Sequence, residues 1–405
     1  MKRTANLISL IISASMFISA LSSCGGGNTV SSTEPPISST ETSTSAVQTT
    51  SAPEVTEQGT ADAHISVDGT KFVVGGKEIW LSGGNTPWYG WNDFSGRMND
   101  EKWEQTFEML EADHINCTRI WINCDGKSIV NVKSSGHFNY MNDEHFEDLD
   151  RLFDMAARHK VYVMATLLSF DHFKNKDWQA VLSSKETCDE YAENYVKPFC
   201  ERYADNDYVF AIDIMNEPDW VYEKDECGKI SWDNISYLFG KCADTIHKTC
   251  NKLVTVGTGI IKYNSDKYEG NKVSDAYLKE LTGLDGAYLD FYSVHYYDWQ
   301  MPWFGFPFDK SPEEFGLVYD RPCVIGETSN DNEKKFRMTL PEIYKSMYDN
   351  GWNGLLVWME PRKDEEQIWY RYDLTREATN AQYEYIPEKI DPLGAWKEDV
   401  SAERF

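Results

Sequence analysis

The stretch Phe210–Trp220, with the sequence FAIDIMNEPDW, decides the fold. Its first part, Phe210–Met215, has the apolar character of a buried strand. The strand then ends in an amide, Asn216, and a carboxylate, Glu217, with Pro218 directly after them. A charge at the end of a buried strand is costly unless something uses or neutralises it. The stretch therefore predicts a strand that delivers a working carboxylate to a site.

Eight strand-like apolar runs, this one included, alternate with helical patterns along the chain, without a second linker or a repeat. The predicted strands are Ile79–Asn85, Asn116–Asn123, Val161–Leu168, Tyr208–Glu217, Leu253–Gly257, Leu289–Tyr297, Pro322–Glu327 and Gly354–Met359. The predicted helices are Glu101–Ala112, Glu144–His159, Lys185–Ala204, Trp232–Thr249 and Lys334–Asn350. Strands that are apolar throughout are typical of a sheet buried on both faces. The alternation predicts an α/β fold, a (β/α)8 TIM barrel.

Two other features complete the predicted architecture. The opening HISVDGTKFVVGGKEIWLSG contains two short strand-like runs with glycines at the turns, which predicts a short N-terminal β-hairpin. A doubly wound open sheet is the alternative fold, but that fold typically carries a glycine-rich phosphate loop. The chain has neither GxGxxG nor GxxxxGK[ST], so the barrel is favoured.

A second carboxylate is placed like the first. PCVIGETSN, Pro322–Asn330, is an apolar strand that carries Glu327. In a barrel, the C-terminal ends of the strands line the active site, and the fourth and seventh strands face each other across its mouth. Two carboxylates across a cleft suit glycoside hydrolysis, in which one donates a proton and the other attacks the sugar. We expect burial and the partner's charge to raise the pKa of the acid.

The segments IDIMNEP and VIGE resemble glycoside hydrolase family 5, in the large clan of retaining barrel glycosidases. The resemblance implies that Glu217 is the acid/base and Glu327 the nucleophile. It also implies that Arg119, in CTRIW at the end of the second strand, lies near the nucleophile. The planar fork of an arginine suits the task of orienting an ionised carboxylate.

Further positions match the same family. In SVHYY the resemblance places His295 near the acid/base and Tyr297 near the nucleophile. It makes Trp358, at the end of the eighth strand, a sugar platform, and it has Asn216 bond the sugar 2-hydroxyl. For His295 the alternative is a core histidine with satisfied hydrogen bonds.

The end of the third strand departs from the family pattern. Most relatives carry a histidine there, whereas MATLLSF offers Ser169, with His172 three residues later. The endo-mannanase branch is similar in also lacking that histidine, and DFYSVHYYDW, Asp290–Trp299, resembles that branch too. We therefore predict a retaining endo-β-1,4-glycanase that hydrolyses a plant cell-wall polysaccharide, with β-mannan favoured. The alternatives are a β-1,4-glucanase (cellulase), an exo-β-glycosidase, or a non-catalytic carbohydrate-binding lipoprotein.

Two aromatic loops follow predicted strands. TPWYGWNDF, Thr86–Phe94, holds Trp88, and YYDWQMPWFGFPF, Tyr296–Phe308, holds Trp299. Sugars stack their apolar faces on aromatic rings, so both tryptophans are predicted to bind substrate. The alternative is that these rings pack on one another and stiffen the loops. Three tryptophans in or beside helical patterns are predicted to be core residues, namely Trp103, Trp232 and Trp352.

The N-terminus has the pattern of an export signal. Lys2 and Arg3 precede an apolar stretch that is shorter than a membrane span, and LSSC ends at Cys24. This pattern resembles the lipobox of bacterial lipoproteins, so residues 1–23 are predicted to be cleaved and Cys24 to be lipidated. Residues 24–61 are rich in Ser and Thr and lack Lys and Arg, which predicts a flexible linker before a catalytic domain over 62–405.

Charge and composition limit the partners. The formal net charge is −27, which disfavours nucleic acid, because phosphate binding needs clustered Lys and Arg. We expect a monomer at the cell surface that touches the membrane only through its lipid and takes a β-linked polysaccharide or oligosaccharide. No cofactor and no metal are expected, since two glutamates suffice. The eight cysteines beyond Cys24 fit buried small side chains and disulfides equally well.

Overall fold

The structure is a computed structural model that describes residues 62–362 and 368–396. Its strands are β1 (Ile65–Asp68), β2 (Lys71–Val74), β3 (Lys77–Ile79), β4 (Leu81–Asn85), β5 (Cys117–Trp121), β6 (Val130–Val132), β7 (Phe138–Met141), β8 (Tyr162–Ser169), β9 (Val209–Asn216), β10 (Leu253–Thr258), β11 (Asn264–Ser265), β12 (Gly270–Asn271), β13 (Tyr292–His295), β14 (Cys323–Ser329) and β15 (Gly354–Trp358). Eight of them form a closed barrel in the order β4-β5-β8-β9-β10-β13-β14-β15, each pair parallel.

Helices connect the barrel strands. They are α1 (Asp100–Ala112), α2 (Asp143–Arg158), α3 (Lys176–Val181), α4 (Lys185–Tyr191), α5 (Lys197–Tyr203), α6 (Asp219–Glu223), α7 (Trp232–Thr249), α8 (Asp275–Thr282), α9 (Met301–Phe304), α10 (Pro312–Phe315), α11 (Glu333–Phe336), α12 (Leu340–Asp349), α13 (Tyr372–Tyr385) and α14 (Pro387–Ile390). Short 3-10 turns cover Phe170–Lys174, Asp225–Cys227, Ile261–Tyr263 and Asp298–Gln300, and a π-helical turn covers Ala192–Val196. The predicted (β/α)8 barrel is confirmed, and all eight predicted strands are its strands.

The main helices are held by ordinary capping and burial. Helix α2 begins after Asn142, whose side chain accepts the amide of Glu144, and it turns Leu149, Leu152 and Phe153 into the core. Side chains spaced three and four apart share one face of a helix, so this stripe packs on the barrel wall. No helix among the described residues is long and apolar enough to cross a membrane.

The N-terminal sheet closes the bottom of the barrel. It has three antiparallel strands rather than the predicted two, because the run after the second turn pairs again as β3. Phe72 of this sheet lies 5.1 Å from Phe291 and 6.4 Å from Phe210, edge to face. The sheet thus buries its apolar face against the first residues of the barrel strands, such as Leu81 and Tyr162.

Two predicted helices are interrupted. The segment Lys185–Ala204 contains the π-helical turn, and Pro198 follows it; a proline has no amide proton to donate within a helix. The prediction of one continuous helix over Lys334–Asn350 was wrong, because the segment forms two helices, α11 and α12. Arg337, with a φ of 57°, ends α11, and α12 begins after Thr339, whose side chain forms a capping box with Glu342.

All eight cysteines of the described residues are buried free thiols. This agrees with the interpretation of the cysteines as small core side chains. Cys24 and the predicted signal and linker, residues 1–61, lie outside the described residues.

Candidate active site

Glu217 follows the last residue of β9, and Glu327 lies in β14, across the barrel mouth. One oxygen of each carboxylate and one His295 ring nitrogen lie within 4.8 Å of one another. A retaining glycosidase needs its two carboxyl groups about 5–5.5 Å apart, whereas an inverting one needs about 6.5–9.5 Å to admit a water molecule. The spacing of the pair therefore fits direct attack by one carboxylate.

The backbone at Glu217 is unusual. Its φ is 49°, in the left-handed region that side chains other than glycine rarely adopt. The Glu217 amide donates to the Gly257 carbonyl at 2.7 Å, which ties this conformation to β10. Such a conformation costs about 1–3 kcal/mol and persists where neighbouring structure enforces it. The left-handed turn ends the strand and points Glu217 over the barrel mouth instead of along the sheet.

Arg119 is fully buried and organises the floor of the site. Its guanidinium donates to Asp213 at 2.7 and 2.9 Å and to Asn85 at 3.1 Å. It also donates to the Asn216 side-chain oxygen at 2.8 Å and to Glu327 at 3.3 Å. The predicted contact between Arg119 and Glu327 is present, and it favours the ionised form of that carboxylate.

Tyr297 and His295 reach the carboxylates from β13 and the residues after it. The Tyr297 hydroxyl donates to Glu327 at 2.5 Å. Burial and the Glu327 charge raise the pKa of Tyr297 well above its ordinary value, so it stays a donor. His295 is buried, and its Nδ1 lies 3.3 Å from a Glu217 oxygen and 3.5 Å from a Glu327 oxygen. His295 therefore contacts both carboxylates, not Glu217 alone.

The pKa values of the two carboxyls depart from expectation. Burial raises the pKa of Glu217, but the hydrogen bond and charge of His295, with the Trp220 indole, outweigh it and lower that pKa overall. Burial and the Glu217 charge raise the pKa of Glu327, against His295 and Arg119. The expectation of a raised pKa at Glu217 is thus wrong for this structure, because its hydrogen bonds with His295 and Trp220 outweigh the effect of burial.

Several contributors were not predicted. Asp213 and Asn85 hold Arg119, and the Trp220 indole donates to Glu217 at 2.8 Å. Asp219 is buried and accepts the amides of Gly259 and Ile260 at 2.6 and 3.2 Å. A charge inside the apolar run of β9 was a visible signal for Asp213. Nothing in the sequence alone indicated the contacts of Asp219.

Asp219 has a strongly shifted pKa. Burial and the nearby Glu217 charge raise it to about 7, against hydrogen bonds from the amides of Gly259 and of Asp219 itself. Asp219 keeps the loop after β10 in place, and this loop touches Glu217. A methyl group added to Gly259 would lie 3.2 Å from both Glu217 Cγ and Oε1. Asp219 and Gly259 therefore position Glu217.

The third strand ends as the sequence indicated. Ser169 is the last residue of β8 and caps the following 3-10 turn, and the amide of Ser169 donates to His172 Nδ1 at 3.1 Å. His172 is buried in that turn, and burial lowers its pKa to about 3, so it is neutral at ordinary pH. It serves the turn rather than replacing the histidine of the family pattern.

Tryptophans in contact with one another form two rows, one beginning beside Arg119 and the other beside Glu217. The Arg119-side row consists of Trp121, Trp358, Trp88 and Trp91. Arg119 lies 5.9 Å from the Trp121 ring, which packs on Trp358 at 5.9 Å. Trp88 contacts Trp358 at 5.8 Å and Trp91 at 5.0 Å. This row contains the predicted platforms Trp358 and Trp88.

The Glu217-side row consists of Trp220, Trp299 and Trp303. Trp220 bonds Glu217 and lies 6.2 Å from Trp299, which lies 6.3 Å from Trp303. The predicted residue Trp299 belongs to this row. The predicted core tryptophans are buried, namely Trp103, Trp232 and Trp352.

Two groups of described residues have donor atoms close enough to share a cation. One is Glu217, His295 and Glu327, and the other is His137 with Glu186 and Glu190 on the surface. In the first group the carboxylate oxygens already accept hydrogen bonds from Arg119, Tyr297 and Trp220. In the second, His137 Nδ1 and a Glu190 oxygen form a hydrogen bond of 2.8 Å, which explains that contact without a cation.

Comparison with known proteins places the chain in a family. The family described as "Cellulase (glycosyl hydrolase family 5)" matches residues 75–358. The mannan endo-1,4-beta-mannosidase of Mytilus edulis is 25% identical over 326 residues, which cover 73% of this chain and 88% of that protein. The enzyme of the same name from Cryptopygus antarcticus is 24% identical over 325 residues, covering 73% and 84%.

Solved structures agree on the fold. The beta-mannanase of the blue mussel Mytilus edulis superposes with a TM-score of 0.69 at 23% identity, covering 80% of this chain and 96% of that one. The beta-1,4-mannanase of the sea hare Aplysia kurodai gives a TM-score of 0.69 at 24% identity, covering 80% and 97%. Since the family match runs from the N-terminal sheet to the last barrel strand, this chain is a glycoside hydrolase and belongs to glycosyl hydrolase family 5.

Proposed function

We propose that the protein is a retaining endo-β-1,4-mannanase with Glu327 as nucleophile and Glu217 as acid/base. The observation that carries the retaining mechanism is that an oxygen of Glu217 and an oxygen of Glu327 lie within 4.8 Å of each other. The choice of mannan is supported by similarity to proteins named mannan endo-1,4-beta-mannosidase.

The first step forms a covalent intermediate. A Glu327 oxygen attacks the anomeric carbon, and the bond from that carbon to the leaving oxygen breaks. Glu217 gives its proton to that oxygen, so the leaving chain departs as an alcohol. Arg119 and Tyr297 hold Glu327 oriented for the attack, at 3.3 and 2.5 Å. Asn216 uses its oxygen to accept from Arg119, and its amide nitrogen is proposed to bond the sugar 2-hydroxyl.

The second step consumes water. Glu217, now a carboxylate, takes a proton from water, whose oxygen attacks the anomeric carbon. The ester bond breaks and Glu327 regains its charge. The lowered pKa of Glu217 suits this step, because the carboxylate form is then the active one.

The first step needs the proton on Glu217 and the charge on Glu327. In the structure the pKa shifts of the two carboxyls run the other way. The His295 Nδ1 lies within 3.5 Å of both carboxylates, so a hydrogen bond at this one nitrogen can serve either of them. We infer that His295 sets which carboxyl is protonated before the sugar is attacked.

The test is hydrolysis of soluble β-mannan by the purified protein, with carboxymethyl cellulose as the competing substrate. Internal cleavage releases oligosaccharides of several sizes from mannan, and the new reducing ends initially have the β configuration by NMR. Single sugars as the sole early product would indicate exo action instead. An α configuration at first release would overturn the retaining mechanism. Binding to mannan without cleavage would indicate a non-catalytic protein.

We also propose that the protein is exported, cleaved before Cys24 and lipidated there, that residues 24–61 act as a linker, and that residues 62–405 work as a monomer. The support is the N-terminal sequence pattern. Cells that express the full chain should incorporate a clickable fatty acid into the protein, and Cys24→Ala should abolish this labelling. Equal labelling of the variant would refute lipidation at Cys24. Light scattering, which measures the molar mass of the soluble domain in solution, tests whether it is a monomer.

A further inference from the structure

The exposed tryptophans have an uneven distribution. Among the described residues, the exposed ones are Trp91, Trp299 and Trp303, with 43, 42 and 66% of their surface accessible. All three belong to the two rows, one of which starts at Glu217 and the other at Arg119. An exposed indole forgoes the stabilisation that burial would give, so an arrangement of them in rows that lead into a cleft indicates a ligand surface.

The loop that carries Trp91 is fixed. The Asn92 side chain donates to Asp125 at 2.7 Å and accepts the Cys124 amide at 2.9 Å. Asp93 accepts the amides of Tyr89 and Gly90 at 2.9 and 3.3 Å. Trp91 therefore stands on a loop held on its C-terminal side by two buried residues, and its ring leans on Trp88.

The loop that carries Trp303 is fixed as well. Gln300 is buried and donates to the Gly259 carbonyl at 3.0 Å, and the Tyr296 hydroxyl donates to the Gly305 carbonyl at 2.8 Å. Asp298 pairs with Lys335 at 2.8 Å. Rigid aromatic surfaces bind with a smaller entropic cost than mobile ones, so both loops are suited to stacking.

The chemistry assigns a direction to each row. The acid/base protonates the oxygen of the departing chain, so the Glu217-side row lies beside the aglycone. Glu327 contacts the sugar that is attacked and is held by Arg119, so the Arg119-side row lies beside the glycone. We propose that Trp91 is the outermost glycone-binding ring and Trp303 the outermost aglycone-binding ring of a cleft that holds several sugars on each side.

This inference rests on the proposed function. Binding at the two outermost rings determines which bond of the chain is cut. Loss of a distant glycone contact moves the favoured binding register so that more sugars lie on the aglycone side. Trp91→Ala should therefore shift cleavage of β-1,4-mannohexaose toward its non-reducing end, and Trp303→Ala should shift it toward the reducing end. Each variant should also lose about 3- to 10-fold in kcat/KM on the hexaose, and less on mannotriose.

The experiment uses mannohexaose labelled with oxygen-18 at its reducing end, with the cut bonds assigned by mass spectrometry. Tyr385→Ala is the matched control, since this ring is 44% exposed but lies on α13 outside both rows; it should keep the wild-type pattern. Trp91→Leu and Trp303→Leu repeat the test if an alanine variant misfolds. Opposite shifts support the proposal, whereas an unchanged pattern or shifts in one direction overturn it. If the wild-type protein cuts no mannan, the proposed function itself fails.

Discussion

Arg119 and Asp213 form an ion pair of 2.7 Å in which neither side chain is exposed to solvent. Two further hydrogen bonds, from Gly257 and Thr166, satisfy Asp213 at 2.8 and 3.1 Å. Because Arg119 also holds Glu327, a structural pair and a catalytic group share one guanidinium.

Arg119→Lys should damage both stability and activity. A lysine has no planar fork and cannot satisfy Asp213, Asn216 and Glu327 together. Breaking a buried pair costs about 3–5 kcal/mol, to be measured as the free energy of unfolding in urea. Arg158→Lys is the control, since its pair with Glu104 is exposed and should change stability by less than about 1 kcal/mol. Equal effects of the two substitutions would contradict the role of Arg119.

The two glutamates should differ in how their loss depends on the leaving group. Glu327→Ala should abolish turnover of every substrate, because no covalent intermediate forms. Glu217→Ala should lower kcat on mannan by about 10²–10⁴-fold, since general acid catalysis contributes about that much. An aryl glycoside with a very good leaving group needs no proton, so its first step should be spared. Normal rates of Glu217→Ala on mannan would exclude Glu217 as the acid.

His295→Gln should move the whole pH profile of kcat/KM to higher pH. His295 lowers the pKa of Glu217 and of Glu327. Without it, Glu327 needs a higher pH to ionise and Glu217 keeps its proton to a higher pH, so both limbs shift the same way. His64→Gln, on the surface near Asp207, should leave the profile in place. A simple loss of rate with unmoved limbs would assign His295 a purely structural role.

Asp219→Asn should remove a pH dependence of stability. Burial raises the pKa of Asp219 to about 7 from an ordinary value of 3.8. The folded state thus holds a proton that the unfolded state has lost, so the contribution of Asp219 is fully present below pH 4 and is lost as the pH rises through 7. Relative to the asparagine variant, the wild-type protein should lose roughly 2–4 kcal/mol between pH 4 and 8. Parallel curves of unfolding free energy against pH for the two proteins would contradict this pKa.

Gly259→Ala should reduce activity more than stability. The added methyl would lie 3.2 Å from Glu217 Cγ, so the carboxylate has to move. Gly69→Ala is the control, for which we expect the opposite result: a loss of stability without a loss of activity. Its φ is +59° with open space around the position, so it should cost about 1 kcal/mol of stability and leave kcat unchanged. Wild-type kcat for Gly259→Ala would show that Glu217 tolerates displacement.

The order of strands and the two glutamates follow from patterns that lie within single strands. Apolar runs that end in a polar residue mark barrel strands and their catalytic ends, so the positions of Glu217 and Glu327 at the barrel mouth could be predicted from local sequence. Arg119 was visible for the same reason, as a charge in an apolar strand. These residues needed no knowledge of distances between separate parts of the chain.

Other contributions depend on contacts that sequence does not encode locally. Asp219 acts through the loop at Gly259, forty residues away in the chain, and the direction of the Glu217 pKa depends on where the His295 ring lies. The start of α12 had a local signal in the sequence, the Thr339–Glu342 capping box. The helical pattern that continues across it obscured this signal.

The segment that follows the last barrel strand supports the loop that carries Trp88 and Trp91. The family match ends at residue 358, yet the buried Trp369 lies 4.9 Å from Tyr89, in the loop between Trp88 and Trp91. A recombinant protein cut at the family boundary would keep both glutamates and lose this support. The cut would also remove core side chains of α13 and α14, such as Ala378 and Ile390, so the truncated protein should be less stable as well as weaker in binding long chains.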